Sequence, residues 1–203
     1  EWRSSYSLGQ NMYTPSDITR PELIPDERPY AGWLYAGFGI VSKTDNSNRP
    51  DKAFNRMDNL EINVGIVGPA SLAGTFQRTW HKWFGFDRPE GWKNQLNNEP
   101  GLVLVYERQW QIKDKLELAG IEADFTPRAG AALGNVFTYA SAGATIRIGP
   151  NLPNDYGPPR IRPSLPGSGF FDPRSTYSLY FFAGVEGRAV ARNIFLDGNT
   201  FSD

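Results

Sequence analysis

Apolar and polar side chains alternate with a period of two through long stretches of this 203-residue chain. The stretch RMDNLEINVGIVG, Arg56–Gly68, shows the pattern clearly. Its two sets of residues are Leu60, Ile62, Val64 and Ile66 on one side, and Asn59, Glu61, Asn63 and Gly65 on the other. Successive side chains of a β-strand point to opposite faces, so this pattern predicts strands with one apolar and one polar face.

Seven segments carry a strand signal of this kind. They are Trp2–Tyr13, Tyr30–Ser42, Arg56–Gly68, Gly101–Asp114, Leu116–Thr126, Asn135–Gly149 and Thr176–Gly187. Strands of globular sheets usually have about 5–6 residues, whereas a tilted strand needs about 9–11 residues to cross a bilayer. The segments have the length of membrane-spanning strands.

The connections between the segments differ in length. Lys113–Lys115 is a predicted tight turn, whereas Pro15–Pro29 and Pro69–Pro100 are long. Short turns at one end and long loops at the other are typical of an outer-membrane β-barrel, in which the polar face lines a wet interior and the apolar face meets lipid. Asn151–Pro173 departs from this rhythm, and its Pro- and Gly-rich sequence predicts an irregular loop.

The fold class favoured by these patterns is all-β, an antiparallel up-and-down transmembrane β-barrel. A soluble β-sandwich, or a soluble β-barrel that binds an apolar ligand, has the same alternation with its apolar face inward. Aromatic residues near the strand ends favour the membrane, where such residues form girdles; they are Trp2, Tyr13, Tyr30, Trp33, Trp110 and Tyr177. The net charge of −1 gives no basic field for nucleic acid, and the absence of cysteine excludes disulfides and thiol chemistry.

The only histidine, His81, lies in the stretch FQRTWHKWFG, where the alternation stops. Ser71–Phe84 is a predicted short helix, which would place Gln77 and His81 one turn apart on a common face. The aromatic residues of the same helix would form a buried or lipid-facing stripe; they are Phe76, Trp80, Trp83 and Phe84.

Histidine can take up a proton from water near neutral pH, and a neighbouring glutamine can orient that water or an ester carbonyl. An ester hydrolase built on His81 would also need a group that stabilises the oxyanion, such as Lys, Arg, backbone amides or Ca²⁺. The alternative interpretation is structural, with His81 capping the helix or filling a gap. A transition-metal site is not predicted, since no second histidine or cysteine stands at ligand spacing.

Several of these stretches resemble the lipid A 3′-O-deacylases, the LpxR family. The resemblance is carried first by VGIVGPASLAGTFQRTWHKWFG and GWKNQLNNEPG, Val64–Gly85 and Gly91–Gly101. It extends in order through Gln10–Asp17, Asp26–Gly37, Gly134–Gly149 and Ala183–Asn199. The Gln-x-x-x-His run is its most specific part.

The resemblance implies a twelve-stranded barrel in the bacterial outer membrane, with a short helix in one extracellular loop. It implies removal of the 3′-linked acyloxyacyl group of lipid A, the membrane anchor of lipopolysaccharide, by a monomeric, Ca²⁺-dependent ester hydrolase. His81 matches the proposed general base of the family, and Gln77 matches its polar partner. A non-catalytic outer-membrane barrel of the same family is the alternative.

Two features depart from the family pattern. The family carries an Asn-Asp pair and a Tyr-Thr element on a strand that we expect to precede Glu1, so residues 1–203 are expected to be a single β-barrel domain without its first and last strands. The calcium ligands are expected on that preceding strand. The family also has a lysine in its first long loop, where this chain reads DITRPE, and Arg20 is the cation nearest to that position. Arg20 is therefore the third predicted catalytic residue, beside His81 and Gln77.

Overall fold

The structure is a computed structural model that describes residues 1–44, 54–112, 116–157 and 176–201. Eight strands make up the fold in these ranges. They are β1 (Trp2–Tyr13), β2 (Ala31–Thr44), β3 (Phe54–Val67), β4 (Glu99–Ile112), β5 (Leu116–Leu118), β6 (Ile121–Gly134), β7 (Phe137–Gly149) and β8 (Phe181–Asn193).

The strands form one antiparallel sheet in which neighbours in the chain are neighbours in space. The order is β1-β2-β3-β4-β6-β7-β8, and the short β5 pairs with the start of β6. Tyr139 of β7 pairs with Val190 while Thr138 pairs with Arg192, so one extra residue forms a bulge in β8. This is the predicted up-and-down antiparallel arrangement.

Five of the seven predicted strands are confirmed with small differences at their ends, and two need correction. Leu116–Thr126 is wrong as a single strand, because the chain reverses at Ala119 and Gly120 and β6 then runs on to Gly134. Both turn residues have positive φ, 55° and 80°, as a two-residue type I′ hairpin turn requires. Thr176–Gly187 begins and ends too early, since β8 runs from Phe181 to Asn193.

Two predicted connections fall partly outside the description. The tight turn at Lys113–Lys115 lies outside the described residues, as does most of the loop Asn151–Pro173. The described part of that loop, residues 151–157, has no regular secondary structure, as predicted.

The two faces of the sheet have opposite polarity to those of a soluble protein. The inner face carries buried polar residues: Asn55, Asn59, Glu61, Asn63, Glu107, Gln109, Gln111, Glu122, Asp124, Thr126, Arg128 and Arg147. The outer face carries exposed apolar residues: Leu8, Phe38, Leu60, Ile62, Val64, Leu102, Leu104, Phe125, Ile146, Ile148 and Val185. The soluble alternative is therefore wrong, because its apolar face would be the buried one.

Two long connections, residues 14–30 and 68–98, leave the sheet at the same end, which we call the loop end. Inside the sheet at this end lies an apolar core around Trp33, Tyr35 and Val67. The short helix α2 (Ile194–Asp197) follows β8 and places Phe195 in this core. The Phe195 ring stacks on Tyr13 of β1, with 4.1 Å between centroids, so the sheet curls its two end strands toward a common interior.

At the opposite end, residues 150–157 fold into the inner face. Leu152 and Asp155 are buried there, and Tyr156 packs with Val41 and Met57. The guanidinium of Arg147 lies between the carboxylates of Asp124 and Asp155 and hydrogen bonds to both. This segment therefore fills the inner face at this end with an apolar cluster and a buried ion-pair network.

One longer helix, α1 (Ala73–Phe84), interrupts the second long connection. A 3-10 turn, Pro69–Ser71, precedes it, so the predicted helix Ser71–Phe84 is confirmed within two residues. Another 3-10 turn, Gly91–Asn94, follows before β4. Within the described ranges no helix has both the length and the apolar character to cross a membrane.

Candidate functional site

Helix α1 begins on the outer side of the sheet. The residues Leu34, Ala36 and Phe38 point outward from β2, and Gly32 shares their face. A Cβ on Gly32 would lie 2.1 Å from Ser71 Oγ and 2.3 Å from Ala73 Cβ, so the chain entering α1 sits directly on this glycine. The Gln10 side chain of β1 donates to the Ser71 carbonyl over 2.5 Å. These contacts hold the start of α1 against the outer wall.

Valine in place of Gly32 is expected to displace α1 from the wall, because the added atoms would overlap Ser71 and Ala73. The sheet itself should remain, since outward side chains are the rule along β2. Limited proteolysis in the connection 68–98 should therefore become faster. The temperature at which the folded protein shifts to its unfolded mobility on a gel should stay unchanged. Gly187→Val is a control, because a Cβ there meets nothing within 4 Å. Equal cleavage rates in the two variants would contradict this packing.

Gln77 is fixed by a tryptophan. The Trp92 ring lies under the helix, where a Cβ on Gly74 would come within 2.9 Å of it, and packs against Tyr30 at 5.1 Å. The Trp92 Nε1–H donates to Gln77 Oε1 over 2.7 Å. Because the carbonyl oxygen of Gln77 is used in this way, its NH₂ group is the part available as a donor to a ligand.

His81 is oriented by the end of its own helix. Gly85 has φ 69° and ends α1, and Phe86 N–H donates to the His81 carbonyl over 2.9 Å. The chain thereby returns beside the imidazole, where Nδ1 lies 2.5 Å from the backbone oxygen of Asp87. A carbonyl oxygen only accepts, so Nδ1 carries the proton and Nε2 carries the free lone pair. Nε2 is the atom of His81 able to act as a base.

A cavity of about 540 Å³ opens beside His81. Its other lining residues are Arg78, Thr79, Lys82, Phe86 and Arg88. The three cations give it a positive character. Arg88 pairs with Glu90 over 3.3 Å, whereas Arg78 and Lys82 form no ion pair with any described residue. Such a cavity favours an anionic or electron-rich ligand.

Arg20 lies elsewhere, in the exposed connection 14–30, and is not among the residues that line the cavity. Hydrogen bonds from Thr19 lower the pKa of Asp17, and Arg20 adds to that effect as a nearby positive charge. In the same connection, the backbone N–H and hydroxyl of Ser16 lower the pKa of Glu27. The catalytic role of Arg20 therefore stays a prediction without a contact to His81.

Some groups that contact Gln77 and His81 could not be predicted from the sequence. Helical spacing predicted only that the two side chains share a face. The orienting groups, Trp92 Nε1 and the Asp87 carbonyl, lie beyond the helix, and no periodicity points to them. Arg78 stands three residues before His81, at a spacing that also places it on a neighbouring part of the helix surface.

The described residues contain no group of three or more His, Cys, Asp or Glu side chains arranged to hold a metal ion. Ca²⁺ prefers several oxygen ligands. Near His81, the Gln77 oxygen accepts from Trp92, and the cavity is lined by cations. These surroundings do not fit a calcium ion.

An antiparallel up-and-down sheet with a polar inner face, an apolar outer face and long loops at one end is the architecture of an outer-membrane β-barrel. The sequence model of the family described as Outer membrane protein LpxR matches residues 1–203, and the chain belongs to this family of outer-membrane proteins.

Among solved structures, the chain is similar to LpxR from Salmonella typhimurium, with a TM-score of 0.77 and 23% sequence identity. The match covers 97% of this chain and 64% of that one, so the chain spans less than two thirds of that relative. At this identity the likeness shows the fold. No curated protein sequence gives a significant match.

Proposed function

We propose that the protein to which this chain belongs is an ester hydrolase that removes the 3′-linked acyloxyacyl group of lipid A in the outer membrane. The observation that carries the proposal is the state of His81. Its Nδ1–H is bound to a backbone carbonyl, its Nε2 is left as a base, and its helix starts on the outer, lipid-facing side of the wall. A base in this place can reach an ester of a lipid in the outer leaflet without entering the barrel.

In the proposed mechanism, His81 Nε2 takes a proton from a water molecule, whose oxygen attacks the carbonyl carbon of the ester. The Nδ1–H bond to the Asp87 carbonyl holds the ring and stabilises the imidazolium that forms. When the tetrahedral intermediate collapses, the C–O bond to the sugar breaks and Nε2–H returns its proton to the sugar oxygen. The products are the acyloxyacyl group, released as a free carboxylic acid, and a free sugar hydroxyl.

The oxyanion needs hydrogen-bond donors. We assign one to the NH₂ group of Gln77, whose oxygen is occupied by Trp92, although Gln77 is not among the residues that line the cavity beside His81. Arg78 is the cation that we place beside it, since it lines the cavity with His81 and lacks an ion-pair partner among the described residues. Arg20 keeps its predicted role as an oxyanion donor only as the competing assignment. An Arg78→Gln and an Arg20→Gln variant would separate the two.

Calcium enters the proposal through the family resemblance alone. The described surroundings of His81 do not fit a calcium ion, so the proposed hydrolysis assigns no role to Ca²⁺. A calcium site made of three or more carboxylates would have to include residues beyond the described ones. Calcium dependence is therefore a separate question for the whole protein.

The experiment that tests the proposal is release of fatty acid from defined lipid A by the whole protein in detergent, with and without a calcium chelator. We expect loss of the 3′ acyloxyacyl group, identified by the mass of the remaining lipid. Lipid A already lacking that group is the matched control and should stay intact. A complete absence of acyl release would favour the non-catalytic barrel, and release from another position would refute the 3′ assignment.

A further inference from the structure

Helix α1 exposes an aromatic stripe that no part of the described chain covers. Phe76, Trp80 and Trp83 repeat at i, i+4 and i+7, and Phe84 lies beside them. Their exposed fractions are 56%, 56%, 72% and 56%. Proteins rarely leave such a continuous aromatic surface in water, so a partner for this stripe is to be expected.

The position of the aromatic stripe on the molecule indicates what covers it. The start of α1 is fixed to the outer side of the wall at Gly32 and Gln10. On that same side, Leu8 and Met12 of β1 are exposed apolar residues of the lipid-facing surface. The aromatic stripe therefore belongs to a helix attached to the surface that meets the membrane.

The opposite side of α1 has a different character. Thr75, Arg78 and Lys82 repeat at i, i+3 and i+7, and each lies about 80° or more around the helix axis from every aromatic residue of the stripe. The two cations have no ion-pair partner among the described residues. A helix with aromatic residues on one side and unpaired cations on the other is the type that lies in the plane of an anionic membrane surface.

We infer that α1 is an interfacial helix, with its aromatic stripe immersed in the outer leaflet and its cationic side at the level of phosphate-bearing headgroups. The occupant of the stripe is lipid rather than protein. His81 lies between the two sides of the helix, so this immersion sets it at the boundary of headgroups and acyl chains. The inference depends on the outer-membrane location of the family and not on the proposed hydrolase.

Spin labels on single cysteines test this directly, because the 203 residues contain no cysteine that would compete for the label and any cysteine outside them can be replaced first. The whole protein is reconstituted alone into bilayers with an anionic outer leaflet. Labels at Phe76→Cys and Trp83→Cys report the stripe, and Thr75→Cys and Lys82→Cys are matched controls on the same helix. Collision with oxygen, which concentrates in lipid, is compared with collision with a water-soluble nickel chelate.

Labels on the stripe are expected to collide more with oxygen than with nickel by several-fold, and the control labels should show the reverse. Nickel access at all four sites would overturn the inference, because it places the stripe in water. Low collision with both reagents on the stripe would also overturn it, since a protein surface would then be the occupant. Neither readout requires enzymatic activity, so failure of the proposed hydrolase leaves this test intact.

Discussion

Alanine in place of His81 is expected to lower the rate of acyl release from lipid A by about 100-fold or more, the range in which general-base catalysis operates. The variant loses Nε2, the atom that takes the proton from water, and retains the rest of α1. Because His81 is only half-buried and its hydrogen bond goes to the backbone of Asp87, the substitution should change the fold little. The measurement is the initial rate of fatty-acid release by the whole protein in detergent.

Thr75→Ala provides the matched control for this prediction. Thr75 is an exposed residue of the same helix and does not line the cavity. Its variant should keep the parent rate, which excludes a general effect of altering α1. If His81→Ala kept the parent rate as well, His81 would not be the base, and the structural interpretation of the histidine would stand.

The sequence patterns predicted the strands well where alternation was regular. They failed in β6, whose second half reads PRAGAALG, because small residues give no polar contrast and Pro127 suggests an end. In the structure Pro127 pairs with Ala144 of β7, whereas the pairing of β6 with β4 begins only at Arg128. Pro127 therefore has a hydrogen-bonded neighbour strand on one side only, where a missing N–H is tolerated. Pairing with β4 and β7 thus overrides the local signal.

Alternation alone left open which face of the sheet looks outward. The structure answers this through inward charges such as Arg128, which reaches Glu186 of β8 at 3.3 Å. Residues 58 positions apart meet only after the sheet has formed, so no local pattern identifies the pair. The orientation of the faces is a property of the assembled sheet.

In the candidate site, too, local spacing was predictable and contacts between distant residues were not. That Gln77 and His81 lie one turn apart on α1 was predictable because helical spacing is local, whereas the placement of the start of α1 on the outer side of the wall was not. That placement depends on Gly32, whose missing Cβ admits Ser71 and Ala73. In the sequence Gly32 is one of several glycines in β2, and only the packed structure distinguishes it.

Methionine in place of Arg147 is expected to lower the free energy of unfolding by about 3–5 kcal/mol, the cost of breaking a buried ion pair from one side. Arg147 is 1% exposed, and its guanidinium binds the carboxylates of Asp124 and Asp155 together with the backbone oxygen of Pro153 at 3.4 Å. Methionine fills similar space without donors. Two buried carboxylates would then lack their shared cation, and residues 150–157 would lose their main tie to the inner face.

The measurement is the urea midpoint for unfolding of the reconstituted protein. Arg188→Met is the comparison. Arg188 is partly exposed, pairs with Glu186 over 2.7 Å and lies 4.7 Å from the centre of the Tyr139 ring, so its replacement should lower the free energy of unfolding by only about 1–2 kcal/mol. A triple variant, Asp124→Asn with Arg147→Met and Asp155→Asn, removes the stranded charges and should recover part of the loss. If Arg147→Met cost no more than Arg188→Met, Asp124 and Asp155 would have to be stabilised without the guanidinium. Recovery in the triple variant separates uncompensated charge from lost packing, because only the former is relieved when the carboxylates become amides.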